Sequence, residues 1–178
     1  MEQKVLRAVM VCLLLMSMAI LGRETAAYVE TVNAVNALQG NNADTDGIPT
    51  VVIDAGHGGD DPGKIGINGA PEKDINLQIT EKLRQYLEAD GIRVVLTRET
   101  EDGLYDASAP NKKVQDMKRR IEKIEQTEPV LTVSIHQNSY PEEYVHGAQV
   151  FYYNGSSGGE QLAGLIQTQL VQDLDPEN

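Results

Sequence analysis

The sequence predicts an α/β fold with a mostly parallel sheet and helices on both faces. Short β-branched or aliphatic runs alternate with stretches of helical periodicity, in the order β-α-β-α-β-β-α. A long Gly-rich loop follows the first of these runs. In such sheets the ligand site lies beyond the carboxyl ends of the strands, so polar residues there are the first candidates for chemistry.

The first half of the predicted domain contains two strands and one helix. The run 50–54 (TVVID) is continuously apolar until its last residue, which is typical of a strand buried on both faces. Residues 55–71 hold six glycines and two prolines and predict a shaped loop. Asp74 is a good N-cap for a helix that Gly91 ends. The run 92–97 (IRVVLT) predicts the second strand.

The second half repeats the alternation after an acidic loop. The helix predicted at 112–125 has four apolar residues on one face: Val114, Met117, Ile121 and Ile124. The runs 130–136 (VLTVSIH) and 148–153 (AQVFYY) predict the third and fourth strands. Ser157 and Glu160 have capping-box spacing and open the last helix.

The N-terminus predicts export. Two basic residues precede 14 nearly all apolar residues at 8–21, which include Cys12. A membrane-spanning helix needs about 20, so the run fits a secretory signal better, with an uncleaved anchor as the alternative. We expect a signal peptide or anchor at 1–27, a flexible linker at 28–47 and one domain at 48–178, acting outside the cytoplasmic membrane.

The charge balance limits the partners. The chain has 27 acidic and 15 basic side chains and a formal charge of −12. Because phosphate backbones repel such a chain, nucleic acid is not an expected partner. Any membrane contact is expected through the N-terminal segment alone.

Two of the three histidines follow directly on predicted strands. His57 comes just after the first strand and His136 ends the third, so parallel strands bring both to one edge of the sheet. Glu72 closes the Gly-rich loop and could add a carboxylate. Two histidines and one carboxylate form a catalytic zinc site with an open position. The alternative is that they are hydrogen-bonding or packing groups. We expect His146 to be an exposed loop residue that is not a ligand.

The combination of motifs resembles the zinc-dependent amidase_3 family of N-acetylmuramoyl-L-alanine amidases, especially its germination-specific members that act on spore cortex. The resemblance is carried by five runs in order: TVVIDAGHGGDDPG (50–63), GAPEKDINL (69–77), LTRET (96–100), TVSIHQNS (132–139) and HGAQVFYY (146–153). It implies a zinc ion held by His57, Glu72 and His136. It also implies hydrolysis of the peptidoglycan amide that joins muramic acid to L-alanine, with zinc activating water.

Three other polar residues near the strand ends have two interpretations each. Asp54 could orient the His57 ring, or accept loop N–H groups as a strand-end carboxylate. Asn138 could bind substrate or cap the loop after the third strand. Arg98 could act at the site, but a salt-bridged structural arginine is the favoured interpretation.

The sequence departs from the family at one point. Family members carry a further catalytic Glu, the general acid/base, in a terminal G-x-L-x-E-x-G-F-like segment, and nothing in this sequence matches that segment. We therefore expect a C-terminally truncated domain. Two alternatives to the amidase stay open: a zinc-binding remnant with a wall-binding or regulatory role, and a zinc carboxypeptidase on the stem peptide.

Overall fold

The computed structural model of the protein describes residues 47–142 and 144–174. The predicted signal at 1–27 and nearly all of the predicted linker lie outside the described residues. The described chain divides into two compact units, with the boundary between Val145 and His146. None of the described helices is long and apolar enough to cross a membrane.

The first unit is built on a three-stranded parallel sheet. The strands are β1 (Thr50–Ala55), β2 (Arg93–Leu96) and β3 (Leu131–Ile135), in the order β2-β1-β3. Both outer strands run parallel to β1. The carboxyl ends of all three strands therefore meet at one edge, as the sequence predicts.

Helices cover both faces of this sheet. Val51, Ile53 and Leu96 form the buried core, and Leu83 and Leu87 of helix α1 (Glu72–Ala89) pack against it. Side chains alternate along a strand, so Asp54 points to the opposite face. There it contacts helix α2 (Lys112–Thr127) through an ion pair with Arg120. The predicted α/β fold class is confirmed.

The start of α1 differs from the prediction. The helix begins at Glu72, preceded by Pro71, and has no side-chain cap. Asp74 lies inside the first turn, and its buried Oδ1 receives no hydrogen bond from the described residues. The prediction that Asp74 caps the helix is therefore wrong, and Glu72 becomes the first helical residue. The N-cap of α2 is Asn111, whose side chain accepts a hydrogen bond from the N–H of Val114.

The second unit contains helix α3 (Ser157–Leu174) and the segment before it. The fourth strand predicted at 148–153 is wrong, since these residues are not in a strand. The Gln167 side chain instead accepts from the N–H of Val150 (2.9 Å) and donates to the carbonyl of Ala148 (2.8 Å). The predicted cap is one residue off, because Ser156 accepts from the N–H of Gly159.

Candidate metal centre

The chain turns sharply at the end of β1, at His57. This residue has a φ of 63°, a left-handed conformation that is uncommon outside glycine. Its carbonyl accepts a hydrogen bond from Arg120 Nη2 at 2.6 Å. The His57 imidazole lies next to Glu72 and to the His136 ring.

The three residues proposed from the sequence converge at this edge. Glu72 Oε1 lies 3.2 Å from His57 Nε2 and 3.2 Å from His136 Nδ1. One ligand atom from each residue lies within 4.8 Å of the other two. The two imidazole rings meet edge to face, with centroids 5.0 Å apart.

Glu72 is the buried centre of the cluster, with 5% of its surface exposed. Burial by itself raises the pKa of this carboxyl. The N–H groups of Lys64 (2.8 Å) and Gln137 (2.9 Å), the Asn76 amide and His57 outweigh that effect and lower the pKa below its ordinary value. The carboxylate is therefore held in the ionised form that binds metals.

The cluster fits a divalent metal ion of zinc's size and ligand preference. In a tetrahedral zinc site, ligand atoms at about 2.05 Å from the metal are roughly 3.3 Å from one another. Both Glu72–His distances match that spacing. Three protein ligands leave one position open, as in hydrolytic zinc sites.

His136 is fixed by the close approach of a glycine. A Cβ added to Gly56 would lie 2.3 Å from His136 Cε1 and 2.4 Å from its Nε2. No side chain other than hydrogen fits between the strand end and the ring. His136 is half exposed on its other side.

Asp54 does not contact the His57 ring. Its carboxylate accepts from the hydroxyls of Ser134 (2.6 Å) and Thr97 (2.7 Å) and pairs with Arg120. Burial raises the pKa of Asp54, and these three partners together lower it below its ordinary value. The structure thus supports neither loop N–H bonding nor ring orientation for Asp54.

Arg98 binds backbone carbonyls in the structure, and the structural role favoured from the sequence stays a prediction. The side chain is 2% exposed and its guanidinium donates to the carbonyls of Ala55, Gly56, Lys73 and Thr100. These bonds tie the Gly-rich loop to α1. Asn138 is exposed on the loop after β3, and His146 is exposed in the second unit, outside the cluster.

Two residues beside the cluster were not predicted from the sequence. Asp61 lies 3.1 Å from His57 Nδ1, and Arg120 holds the His57 carbonyl. The position of Asp61, four residues after His57 in a glycine-rich turn, was a usable signal. No sequence signal pointed to Arg120, because a charged residue in a helix is ordinarily expected to be exposed.

A groove of about 470 Å³ adjoins the cluster. Its lining includes His57 and His136, together with Tyr105, Lys112 and Met117. Two of the three candidate ligands, His57 and His136, therefore border a cavity that is much larger than a water molecule.

An α/β domain with such a centre is typical of metal-dependent hydrolases, and comparison with known proteins defines the class. Residues 51–178 match the Amidase_3 family, described as N-acetylmuramoyl-L-alanine amidase, and the chain belongs to this family.

Particular relatives are similar over most of the domain. The chain is 34% identical over 128 residues to the germination-specific N-acetylmuramoyl-L-alanine amidase of Bacillus subtilis (strain 168), covering 70% of this chain and 54% of that protein. The structure is similar to the CwlD amidase of Clostridioides difficile, solved in complex with the GerS lipoprotein. That match has a TM-score of 0.70 and 38% identity, and covers 73% of this chain and 68% of the other. An N-acetylmuramoyl-L-alanine amidase of Clostridium difficile 630 matches with a TM-score of 0.58 and 30% identity, over 70% and 63% of the two chains. The chain thus spans about half the length of the Bacillus relative.

Proposed function

We propose that this protein is a zinc-dependent peptidoglycan hydrolase that cleaves the amide between N-acetylmuramic acid and L-alanine. The observation that carries the proposal is the convergence of His57, Glu72 and His136 at the strand ends of an Amidase_3 domain. The similarity to a germination-specific amidase favours spore cortex as the wall substrate. Export through residues 1–27 would bring the domain at 48–178 to that substrate.

Zinc held by these three residues would supply Lewis acidity, activating water and polarising the scissile carbonyl. The protein's own contribution is to hold the ligands. Glu72 is kept ionised by two backbone N–H groups, and the His136 ring is held against Gly56. We expect the glycan and stem peptide to bind in the groove that His57 and His136 border.

A second candidate function is a zinc-binding wall protein without turnover. It is favoured by the contacts of Asp54 and Asp61, two carboxylates other than Glu72 that line the same groove as the histidines. Asp54 is bonded to Arg120, Thr97 and Ser134, and Asp61 contacts His57 on the ring edge away from Glu72. Neither is positioned as the general acid/base that the amidase reaction needs.

Elemental analysis of the purified chain tests the metal site. We expect close to one zinc per chain, lost in His57→Ala and His136→Ala. The matched control is His146→Ala, an exposed histidine outside the cluster, which should keep the zinc. A folded, zinc-free wild-type protein would refute the metal site.

Mass analysis of products from purified muropeptides separates the activities. Free stem peptide beginning with L-alanine supports the amidase. Loss of a terminal D-alanine supports a carboxypeptidase, and bound zinc without product supports the non-catalytic protein.

A further inference from the structure

The imidazole of His57 lies between two carboxylates. Its Nε2 is 3.2 Å from Glu72 Oε1, and its Nδ1 is 3.1 Å from Asp61 Oδ2. A neutral imidazole carries one N–H donor and one acceptor nitrogen. If Nδ1 carries the proton and its N–H donates a hydrogen bond to Asp61, the lone pair of Nε2 is left free on the Glu72 side, where a metal would bind.

Asp61 is held in place by a short backbone pairing. Its N–H and carbonyl both pair with Gly58, the residue after His57, each at 3.1 Å. Its second carboxylate oxygen, Oδ1, accepts from the N–H of Gly63 at 3.1 Å. The Lys113 ammonium lies 3.5 Å from Oδ2. The carboxylate therefore has one oxygen anchored to the loop and the other directed at the ring.

Its neighbour Asp60 has the same side chain but a different role. The Asp60 carboxylate is largely exposed and pairs with Lys112 at 2.6 Å. No contact joins it to His57 or to the other cluster residues in the structure described. The two adjacent aspartates thus form a natural test pair.

We propose that Asp61 is a positioning residue that holds His57 as the Nδ1–H tautomer, with Nε2 directed at the metal centre. The proposal deepens the proposed function, because it concerns the same zinc site. Carboxylates that receive the second N–H of a ligating histidine typically contribute about 10–100-fold in metal affinity. Asp61 is not a further ligand in this arrangement, since it contacts the ring edge opposite Nε2.

The test compares Asp61→Ala with Asp60→Ala in zinc titrations against a competing chelator. We expect about 10–100-fold weaker zinc binding in D61A. D60A should bind zinc like the wild type. Equal zinc affinity in D61A and the wild type would overturn the proposal, as would an equal loss in both variants. Asp61→Asn keeps the shape and serves as the second variant if D61A does not fold.

A second measurement does not depend on zinc. Long-range ¹H–¹⁵N spectra of the metal-free protein, above the titration range of imidazole, report which His57 nitrogen carries the proton. We expect a protonated Nδ1 in the wild type and D60A, and Nε2–H or a mixture in D61A. A wild-type ring protonated at Nε2 would overturn the proposal. If the wild type binds no zinc but shows the Asp61-dependent tautomer, the metal function fails while the positioning role stands.

Discussion

Removal of Arg120 should destabilise the domain strongly. Its side chain is almost fully buried and its guanidinium pairs with two carboxylates, Asp54 and Asp116, the latter at 2.6 Å from Nε. It also donates to the carbonyls of Ala55 (2.7 Å) and His57 (2.6 Å). Arg120→Met keeps the methylene packing and removes all of these bonds.

The size of the expected stability loss follows from the two carboxylates that Arg120→Met leaves without their cation. Asp54 and Asp116 are only 14% and 13% exposed, so two mostly buried carboxylates would lose their cation. Breaking a buried pair by removing one partner costs about 3–5 kcal/mol. Since domains of this kind are stable by about 5–15 kcal/mol, the variant would lose a large share of its free energy of unfolding.

Urea unfolding followed by circular dichroism, in the presence of a chelator, measures this loss without a metal contribution. The midpoint should fall by roughly 2 M, for an m-value of about 2 kcal/mol/M. The matched control is Arg119→Met, because the adjacent Arg119 pairs with Asp106 on the surface and should show no comparable loss. If R120M is no less stable than R119M, the reasoning about the buried ion pair is refuted.

Two further variants test the glycine contact and the strand-end aspartate. Gly56→Ala should displace the His136 ring and weaken zinc binding on the order of tenfold or more while the circular dichroism spectrum is kept. The control is Gly164→Ala in α3, where an added Cβ meets open space, and it should raise the free energy of unfolding by about 0.5–1 kcal/mol. Equal zinc affinity in G56A and G164A would contradict a role for the contact between Gly56 and the His136 ring. The pKa of Asp54 is lower in the folded than in the unfolded state. Ionised Asp54 therefore adds to the free energy of unfolding above its unfolded-state pKa near 3.8, and this contribution is lost as the pH falls through its folded-state pKa. The stability difference between wild type and Asp54→Asn should therefore shrink below about pH 4, and a difference that stays constant in urea unfolding from pH 7 to pH 3 would contradict this assignment.

The sheet and the meeting of the two histidines could be predicted because they follow from topology, whereas Glu72 was a possible third ligand that the family resemblance implied. Parallel strands bring their carboxyl ends to one edge, so residues directly after β1 and β3 had to lie near each other. The proximity of His57 and His136 could therefore be predicted from their positions after these two strands alone. Their role as zinc ligands, with Glu72, stays a prediction until a metal is measured.

The wrong predictions of secondary structure and helix capping rested on local sequence propensity alone. The run 148–153 has strand composition, but a strand also needs a partner ladder, and here Gln167 binds the backbone instead. Asp74 has the chemistry of a cap, yet the loop bonds of Glu72 start the helix two residues earlier. Arg120 could not be assigned, because its partners come from β1 and from the turn after it.

The strand order also decides when the metal centre can form. His136 reaches the other two residues only after β3 has paired with β1, across a long stretch of chain that includes both helices of the unit. Parallel pairings between distant segments are slow to form during folding. A chain crossing a membrane in an extended form would therefore carry no assembled site and would have to load its metal afterwards. The metal supply of the compartment in which the domain folds would then set the fraction of chains whose candidate site is occupied.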